Sequence, residues 1–492
     1  MQAFLVFLPL VAFFIVLLLS GWWATRLNQS SSPLAFYLGE RRLSGFVLAM
    51  TLVATYGSVS SFVSGPGLAW KLGLGWVVFA APQIIAGFFV LGILGKKLAL
   101  LSRRLNALTI IDVIRERFSG DKAGGILWRL CALLLLIFLA AMMIGQLIGG
   151  ARIFSASAGI SYGWGLLIFG AVTVLYTALG GFRAVAITDM ICAVLMLAGM
   201  VLLGVVLVNE AGGWSALTHT LDTIAAPKGL GSFTSFDAGG ALSLPLLLSA
   251  WVIVGFATVG LPQSAVRCMT YEKGVDLRRA MIVSTVVCGA LMVGVTTLGG
   301  FARAVMPEMN GSTDEVIPTL IVTHMNPLVA GATLVSPLAA TMSTVSSLLI
   351  MAASALVKDL LSQTSWGYVK TSQGLTKVSR WVTASLGVLI LILAVTPFDI
   401  VVWINLFAFG GLEIVFGIAL VGGLFWRRAT ATGALVGIVA GLAAYIAILT
   451  WKIPVGSFHA VVPGLLIAIV VFVVVSLLTP RTDKRIADVF FP

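Results

Sequence analysis

Residues 49–70 decide the fold, and they read AMTLVATYGSVSSFVSGPGLAW. The stretch has the length and hydrophobicity of a membrane-spanning helix. It also contains Gly57 near its middle and the Gly-Pro-Gly triplet 65–67 near its end, which disfavour a regular helix. Inside a bilayer, unpaired backbone groups are tolerated only where they are buried in protein or line a watery cavity. We therefore predict a span, 46–70, that is interrupted beside such a cavity.

A second apolar stretch, 244–266, is interrupted in a similar place. Gly255 and then the Gly-Leu-Pro triplet 260–262 stand where the first stretch has its glycines. Two interrupted spans at corresponding places in two halves of a chain are the best sequence-level sign of a secondary transporter's substrate site. The pairing predicts that the two segments meet near the middle of the membrane and enclose that site.

Most of the chain is hydrophobic enough to lie in a membrane. Of its 492 residues, 60% are hydrophobic and 10% are charged, a composition far from that of ordinary soluble domains. At about 20 apolar residues per span, the sequence predicts about thirteen transmembrane helices. We therefore expect an all-α integral membrane protein that forms a single transmembrane domain over 1–492.

The net charge of +12 reflects the topology of the chain rather than a nucleic-acid partner. If the N-terminus faces outward and loops alternate, most of the 30 Lys and Arg residues lie on the inner side. Such an excess follows the positive-inside rule. For an odd number of spans it predicts an outer N-terminus and a cytoplasmic C-terminus.

The sequence lacks the signatures of ATP use and of catalysis. The segment nearest to a phosphate-binding loop, 92–97, has its glycines too close together and no following Ser or Thr. The three histidines, His219, His324 and His459, fall in predicted outer loops and form no metal-ligand pattern. We therefore expect a transporter driven by an ion gradient and not an enzyme.

The ninth predicted span offers a place for a coupling ion. Ala340, Ser343 and Thr344 are spaced so that they share one helical face. Two hydroxyls above a backbone carbonyl suit a hard cation, which takes oxygen ligands. The alternative is that small and hydroxylated residues only help membrane helices to pack closely. Because the interrupted span can add free carbonyl oxygens, we favour an ion site.

Several strings of the sequence resemble the sodium/solute symporter family. They include YTALGGFRAV at 176–185, GLGW at 73–76, GLP at 260–262 and LFAFGGLE at 406–413. The resemblance extends over nearly the whole chain. It implies a core of five plus five helices in inverted repeat, as in the leucine transporter, and a location in a bacterial inner membrane.

The resemblance also divides the chain into parts. They are a first helix with a cytoplasmic loop at 1–45, a first inverted repeat at 46–208, a second inverted repeat at 244–425, and two peripheral helices with a short tail at 426–492. The first helix and the last two would lie outside the ten-helix core.

Carried over position by position, the family's sodium site consists of five residues. Ala54, Gly57 and Ala340 would provide backbone carbonyl oxygens, and Ser343 and Thr344 would provide hydroxyls. The implied site joins the first interrupted span to the ninth, the same two helices that the helical spacing indicated. We therefore expect Gly57 to lie close to Thr344.

Two charged residues admit alternative interpretations. Asp189 matches an acidic position that the family associates with sodium passage, but it could also be a helix-start acid that balances Arg183. Arg267 closes the seventh predicted span and could belong to a gate. We expect Arg267 to be a positive-inside anchor at the membrane surface.

Within the family the chain resembles the pantothenate transporters. This resemblance implies that sodium is transported together with a small organic anion, and that pantothenate is the expected anion. Proline transporters of the family have an aspartate where this chain has Tyr56, and this difference favours another substrate. The fold implies binding between the interrupted spans. Side chains available there are Tyr56, Ser58, Ser61, Gln146, Trp251, Phe256, Asn405 and Phe409.

Pantothenate would present a carboxylate, an amide and two hydroxyls to these side chains. Amide and hydroxyl groups can pair with its polar atoms, and the positive N-terminal ends of half-helices can face its carboxylate. Glu413 is the one carboxylate predicted at mid-depth in a span. Because an intramembrane acid is a functional candidate by default, we hypothesise that Glu413 shapes the substrate site.

Three alternatives remain open. The chain could carry another solute of the same family, such as a sugar, a monocarboxylate or an amino acid. It could be coupled to protons through Glu413 or Asp189. It could also be a sensor built on the same helices, although such a protein would carry an appended signalling domain. The sequence leaves stoichiometry and oligomeric state undetermined.

Overall fold

The computed structural model describes residues 2–27, 32–120, 122–224, 232–309, 311–364, 367–397 and 401–491. Within these ranges nearly every residue is helical, and an isolated β-bridge joins Leu43 to Tyr271. The expected all-α membrane fold is confirmed.

Nine helices make up the first half of the described chain. They are α1 (Gln2–Leu27), α2 (Pro33–Leu38), α3 (Gly45–Tyr56), α4 (Ser60–Leu72), α5 (Gly75–Arg104), α6 (Ile110–Arg117), α7 (Lys122–Ala158), α8 (Tyr162–Glu210) and α9 (Trp214–Thr223).

Ten helices make up the second half. They are α10 (Leu244–Gly260), α11 (Pro262–Met269), α12 (Gly274–Val305), α13 (Val316–His324), α14 (Pro327–Gln363), α15 (Ser372–Leu393), α16 (Val401–Phe425), α17 (Ala431–Trp451), α18 (Val461–Leu478) and α19 (Lys484–Phe490). Short 3₁₀ turns, such as Thr313–Glu315 before α13, connect some of them.

The predicted count of thirteen spans is not confirmed. Among the described residues, ten helices are long and apolar enough to cross a membrane, or up to twelve if each of two bent pairs is one span. The difference lies in α8, because the sequence predicts two spans, 163–180 and 186–208, within its 49 residues. A straight helix of that length would measure about 73 Å, over twice the ~30 Å bilayer core. Gly181 (φ 63°, ψ −170°) interrupts α8 between the two predicted spans.

Several helices begin at start signals that are visible in the sequence. The side chain of Asn326 accepts a hydrogen bond from the N–H of Val329 (3.1 Å), and Pro327 occupies the first turn of α14. Thr109 and Asp112 form a reciprocal capping box at the start of α6. Such residues satisfy N–H groups that would otherwise be unpaired at a helix start.

The helix α14, which carries Ala340, Ser343 and Thr344, is the most buried of the candidate membrane spans in the described part of the chain. In its most apolar window 89% of the residues are buried, against 28% in α18 and 39% in α17. It packs against α1, α7 and α8, whereas α17 and α18 pack mainly on each other. The mean hydropathy of α14 is 1.7 and that of α18 is 3.1. The most enclosed helix is thus much less hydrophobic than α18, because protein and not lipid surrounds it.

Arg117, the last residue of α6, packs against the C-terminal helix α19. The Nε of Arg117 donates to the carbonyl oxygen of Gly423 (2.8 Å), and its guanidinium lies 5.0 Å from the ring centre of Phe118 and 5.9 Å from that of Phe490. Burial lowers the pKa of Arg117 to about 10, so the side chain stays charged near neutral pH. This contact holds the end of α6 against the end of α16.

Candidate functional site

The first interrupted helix breaks at Gly57. The helices α3 and α4 differ in direction by 64°, and Gly57 between them has extended torsion angles (φ −66°, ψ 110°). Carbonyl groups at the end of α3 therefore lack their usual helical partners. The triplet 65–67 is not a second interruption, because it continues α4 as regular helix with Pro66 in an early turn. The break is thus shorter than the sequence predicts.

The hydroxyls of α14 contact the free carbonyl oxygens of this break. Ser343 Oγ lies 3.1 Å from the carbonyl oxygen of Ala54 and 3.0 Å from that of Ala340. Thr344 Oγ1 lies 2.9 Å from the carbonyl oxygen of Gly57 and 2.9 Å from that of Ala340. The structure brings together all five residues of the predicted ion site, with Gly57 beside Thr344. We call these five oxygen atoms the oxygen cage.

The oxygen cage has fewer hydrogens than close contacts. Each hydroxyl carries one hydrogen and two lone pairs, yet the two hydroxyls lie within 3.1 Å of a carbonyl oxygen four times. The two hydrogens must therefore be shared among the four contacts, or two of the contacts bring lone pairs together. A cation would bind those lone pairs. Since all five oxygens are uncharged, the cage suits a monovalent cation better than a divalent one, whose sites usually contain carboxylates.

The second interrupted helix breaks at Leu261. The helices α10 and α11 differ in direction by 49°, and Leu261 between them is extended (φ −79°, ψ 115°). Pro262 then opens α11 in the position that proline prefers. Gly260 packs against the backbone of Glu413 in α16, where a Cβ atom would come within 3.2 Å of it. Both predicted interruptions are therefore present, and this one is held by α16.

A buried cavity of about 70 Å³ adjoins the oxygen cage, and Thr344 belongs to both. Six of the nine predicted substrate residues line it: Tyr56, Ser58, Ser61, Gln146, Asn405 and Phe409. Sites that hold organic ligands usually measure about 300–1,000 Å³. The cavity is therefore closed down in this conformation and must expand to admit an organic solute.

Two amide side chains that line the cavity each have one atom without a hydrogen-bond partner in the described part of the chain. The Oε1 atom of Gln146 accepts from the N–H of Val59 (2.9 Å), which leaves its Nε2 atom without a partner in the described part of the chain. The Nδ2 atom of Asn405 donates to Ser60 Oγ, and its Oδ1 atom is likewise unpaired there. A buried unpaired donor or acceptor costs about 1–3 kcal/mol. The cavity thus offers one donor and one acceptor to a polar ligand.

Trp251 and Phe256 do not line the cavity, contrary to the prediction. They are 42% and 46% exposed, and Phe256 packs edge-to-face on Phe89 with ring centres 5.0 Å apart. The reason is a π-helical turn, in which the N–H of Phe256 bonds to the carbonyl of Trp251. Residues five apart then lie on the same side of the helix, and here that side faces outward. Val254 lines the cavity in their place.

Glu413 is fully buried but does not line the cavity either. Within the described ranges neither of its carboxylate oxygens has a hydrogen-bond partner. A charged carboxylate in such surroundings would be very costly, so the side chain is best accommodated in its neutral form. Its position beside Gly260 limits it to an indirect effect on the substrate site, through the packing of the second interruption.

Several residues that line the cavity were not predicted from the sequence. They are chiefly Thr55, Ser60, Trp76, Phe79, Gln83 and Thr296. Gln83 carried a usable signal, because a polar side chain within an apolar span marks a candidate site. Trp76 and Phe79 carried no such signal, because aromatic residues are common in membrane helices. In the structure their rings stack with centres 4.4 Å apart and cover one side of the cavity.

Asp189 pairs with Arg267 and not with Arg183. Arg267 Nη2 lies 3.2 Å from Asp189 Oδ2, and the two side chains are 1% and 0% exposed. Thr51 and Ser347 also donate to the same carboxylate oxygen, at 2.6 and 3.2 Å. The expectation that Arg267 is a surface anchor is wrong, because the half-helix α11 turns it into the protein. Ser347 lies one helical turn from the cage, which places the ion pair next to it.

A second ion pair joins α7 to the short turn before α13. Arg152 Nη1 lies 3.3 Å from Asp314 Oδ2, and the backbone N–H of Val401 donates to the same oxygen (3.4 Å). Burial raises the pKa of Asp314, although the guanidinium of Arg152 lowers it. This contact ties the loop before α13 to α7 and α16.

A small cavity of about 30 Å³ adjoins the Asp189–Arg267 pair and is lined by Arg267, Ser347 and Asp359, among others. Thr109 Oγ1 donates to Asp359 Oδ1 (2.6 Å), which connects the start of α6 to the end of α14.

Replacing Gly149 with alanine is expected to strain the first interruption. A Cβ atom at this position would overlap the side chain of Val59, and overpacking of this kind costs about 1–3 kcal/mol. Gly274→Ala is a matched control, since no other atom lies within 4 Å of its added Cβ. Denaturant titration in detergent should show a lower free energy of unfolding for Gly149→Ala only. Equal stability of the two variants would show that Val59 moves aside freely.

Two interrupted helices, with a cavity beside the first interruption, define a secondary membrane transporter. Residues 36–441 match the sodium:solute symporter family, and the chain belongs to that family. It is therefore an integral membrane transporter and not an enzyme. The family expected from the sequence strings is thereby confirmed.

Two relatives align along nearly their whole length. The chain is 41% identical over 474 residues to the sodium/pantothenate symporter of Escherichia coli (strain K12), covering 95% of each chain. It is 40% identical over 450 residues to the sodium/pantothenate symporter of Haemophilus influenzae, covering 92% of this chain and 91% of the relative. In fold it is similar to a Na⁺-coupled sialic acid symporter solved in a substrate-bound outward-open state. The TM-score is 0.78 at 18% identity, over 98% of this chain and 99% of that one.

Proposed function

We propose that this protein couples the entry of sodium to the uptake of pantothenate by alternating access. The observation that carries the proposal is the double position of Thr344. Its hydroxyl donates to the carbonyl oxygen of Gly57 in the oxygen cage, and the same residue lines the central cavity. An ion in the cage and a solute in the cavity would therefore both lie next to Thr344.

In this proposal sodium binds the five oxygens of the cage. The ion would relieve the lone-pair contacts between Ser343, Thr344 and their carbonyl partners. It would also hold the break after α3 against α14. Since two helices must be in register before all five oxygens can reach one ion, binding would favour one arrangement of the bundle over another. Coupling follows because the solute cavity depends on the same arrangement.

Pantothenate fits the chemistry of the cavity. Its amide and hydroxyls can accept from the unpaired Nε2 atom of Gln146 and donate to the unpaired Oδ1 atom of Asn405. No cationic side chain lines the cavity within the described ranges. The N-terminal ends of α4 and α11 begin at the two interruptions, and their partial positive charge would face the carboxylate. The identity of about 40% to two sodium/pantothenate symporters supports this choice of solute.

We propose that sodium leaves past Asp189. Ser347 links the cage helix to this carboxylate at 3.2 Å and also lines the small cavity beyond it. The basic residues indicate that this side is cytoplasmic, with the N-terminus outside and the C-terminus inside. The repeats 46–208 and 244–425 would each begin with an interrupted helix, and their relative rocking would open the site to alternate sides.

Uptake of radiolabelled pantothenate into proteoliposomes tests the proposal. We expect accumulation that requires an inward sodium gradient and that excess unlabelled pantothenate suppresses. A panel of proline, monocarboxylates and sugars should compete at least tenfold less well. Stronger competition by one of these would identify that solute as the substrate instead. Unchanged uptake in sodium-free buffer under a pH gradient would establish proton coupling.

Replacing Asn405 with alanine is expected to raise the KM for pantothenate about tenfold, with a smaller effect on the sodium requirement. The substitution removes an unpaired acceptor from a residue that lines the cavity, but no oxygen of the cage. One polar contact is worth about 0.5–1.5 kcal/mol, or up to about 3 with a charged group. Asn209→Ala, at an exposed position near the end of α8, is the control. Initial rates over a range of pantothenate concentrations measure the effect. An unchanged KM would remove Asn405 from the substrate site.

A further inference from the structure

A groove of about 1,010 Å³ runs along the outside of the bundle, between the first half of α8 and α15. It is separate from the central cavity and far larger than the 70 Å³ and 30 Å³ cavities of the transport pathway. The two helices run antiparallel, because Tyr162 OH at the start of α8 donates to the carbonyl oxygen of Ala394 just after α15 (2.7 Å). The groove therefore follows the length of both helices.

Small residues create the groove. Gly387 lies against Val174 and lets the two helices approach, which forms the floor. On either side of this floor Ala171 and Ala384 take the place of bulkier side chains and leave the space open. The groove therefore results from small residues at matching positions of both helices.

The walls of the groove are apolar and outward-facing. Leu175 is 52% exposed and Ile392 is 62% exposed, at positions where the helices lie within the apolar spans. Such a concave apolar wall in a membrane matches the shape and chemistry of acyl chains.

One end of the groove is basic. Lys377 and Arg380 line it there, both exposed, and neither forms an ion pair within the described ranges. Trp381 stands beside them and is 69% exposed, as is typical of aromatic residues at the level of lipid headgroups. No carboxylate lines the groove in the part of the chain that the structure describes. The basic end is thus a place for an anion.

We propose that the groove between α8 and α15 binds an anionic phospholipid. Its acyl chains lie along the apolar walls, and its phosphate headgroup pairs with Lys377 and Arg380. Basic pockets between transmembrane helices on the cytoplasmic side recognise anionic headgroups in this way. A second copy of the chain fits less well. A twofold axis along the membrane normal would bring the same basic end of both copies together, and like charges repel.

Native mass spectrometry with phosphatidylglycerol and phosphatidylcholine tests the site. We expect the purified protein to retain phosphatidylglycerol at least tenfold more tightly than phosphatidylcholine. The double variant Lys377→Gln/Arg380→Gln should bind phosphatidylglycerol about 25-fold more weakly, at roughly fivefold per basic residue near an anionic headgroup. Arg278→Gln/Arg279→Gln, an exposed basic pair at the start of α12, is the matched control and should bind normally.

A second variant tests the groove without touching its charge. Ala384→Phe should fill the space and lower the retention of phosphatidylglycerol, whereas Val286→Phe, at an exposed position of α12, should not. The proposal is overturned if wild-type protein retains both lipids equally, or if the control pair loses binding as strongly as the groove pair. It is also overturned if Ala384→Phe dissociates a dimer without changing lipid retention, which would make the groove a subunit interface.

Discussion

Replacing Thr344 with alanine is expected to lower sodium-driven uptake more than tenfold at a fixed, subsaturating sodium concentration. The substitution removes one of the five oxygens of the cage, the one that lies 2.9 Å from the carbonyl oxygen of Gly57. A contact to a charged group contributes about 1.5–3 kcal/mol, which corresponds to about 10- to 150-fold in sodium affinity. Uptake measured as a function of sodium concentration should show a higher half-saturation, and Ser343→Ala should act in the same direction.

Two further variants separate ion binding from a general loss of packing. Thr344→Ser keeps the hydroxyl and should retain most of the sodium affinity. Ser346→Ala is a neighbouring control, because the Oγ of Ser346 is buried and donates to the carbonyl of Ser343 in its own helix (3.0 Å) but is not one of the five oxygens of the cage. An unchanged sodium dependence in Thr344→Ala and Ser343→Ala would exclude the oxygen cage as the coupling site.

Replacing Arg267 with methionine is expected to destabilise the protein by about 3–5 kcal/mol and to abolish uptake. The change leaves the fully buried carboxylate of Asp189 without its cationic partner. Thr51 and Ser347 still donate to that carboxylate, but two neutral donors do not replace a guanidinium. Denaturant titration in mixed micelles and uptake in proteoliposomes measure the two effects.

Removing both charges should restore much of the stability. A buried ion pair contributes little net free energy compared with well-packed apolar side chains, whereas one unpaired charge is costly. The double variant Asp189→Leu/Arg267→Met should therefore be more stable than Arg267→Met, yet still fail to transport if Asp189 lies on the ion route. Arg279→Met, at an exposed site, is the control. A double variant that transports normally would contradict the proposed passage of sodium past Asp189.

The oxygen cage could be predicted because each of its two parts, the interruption and the hydroxyl-bearing face of α14, depends on a short stretch of sequence. Gly57 interrupts an apolar span, and the three-residue and four-residue spacings of α14 put Ser343 and Thr344 above Ala340. Both signals depend on local geometry. Only the meeting of the two stretches, nearly 290 residues apart, required the resemblance to a family.

The substrate cavity was predicted less completely. Gln146 and Asn405 were found because the fold implied by the family resemblance places their helices beside the interrupted spans. Trp251 and Phe256 were misplaced, since the π-helical turn that rotates them outward has no clear sequence signal. For Arg267, the count of basic residues per side indicated a surface position, whereas the turn at Leu261 buries it against Asp189.

Taken by itself, the sequence determined that the protein is a bundle of membrane helices, where two of them are interrupted, and which face of α14 carries hydroxyls. Hydrophobicity, glycine and proline placement and helical spacing act over a few residues, so they can be read along the chain. Tertiary structure alone decided the pairing of Asp189 with Arg267, the outward turn of Trp251 and Phe256, and the groove between α8 and α15. These features depend on the relative rotation of distant helices, which packing sets and no local pattern encodes.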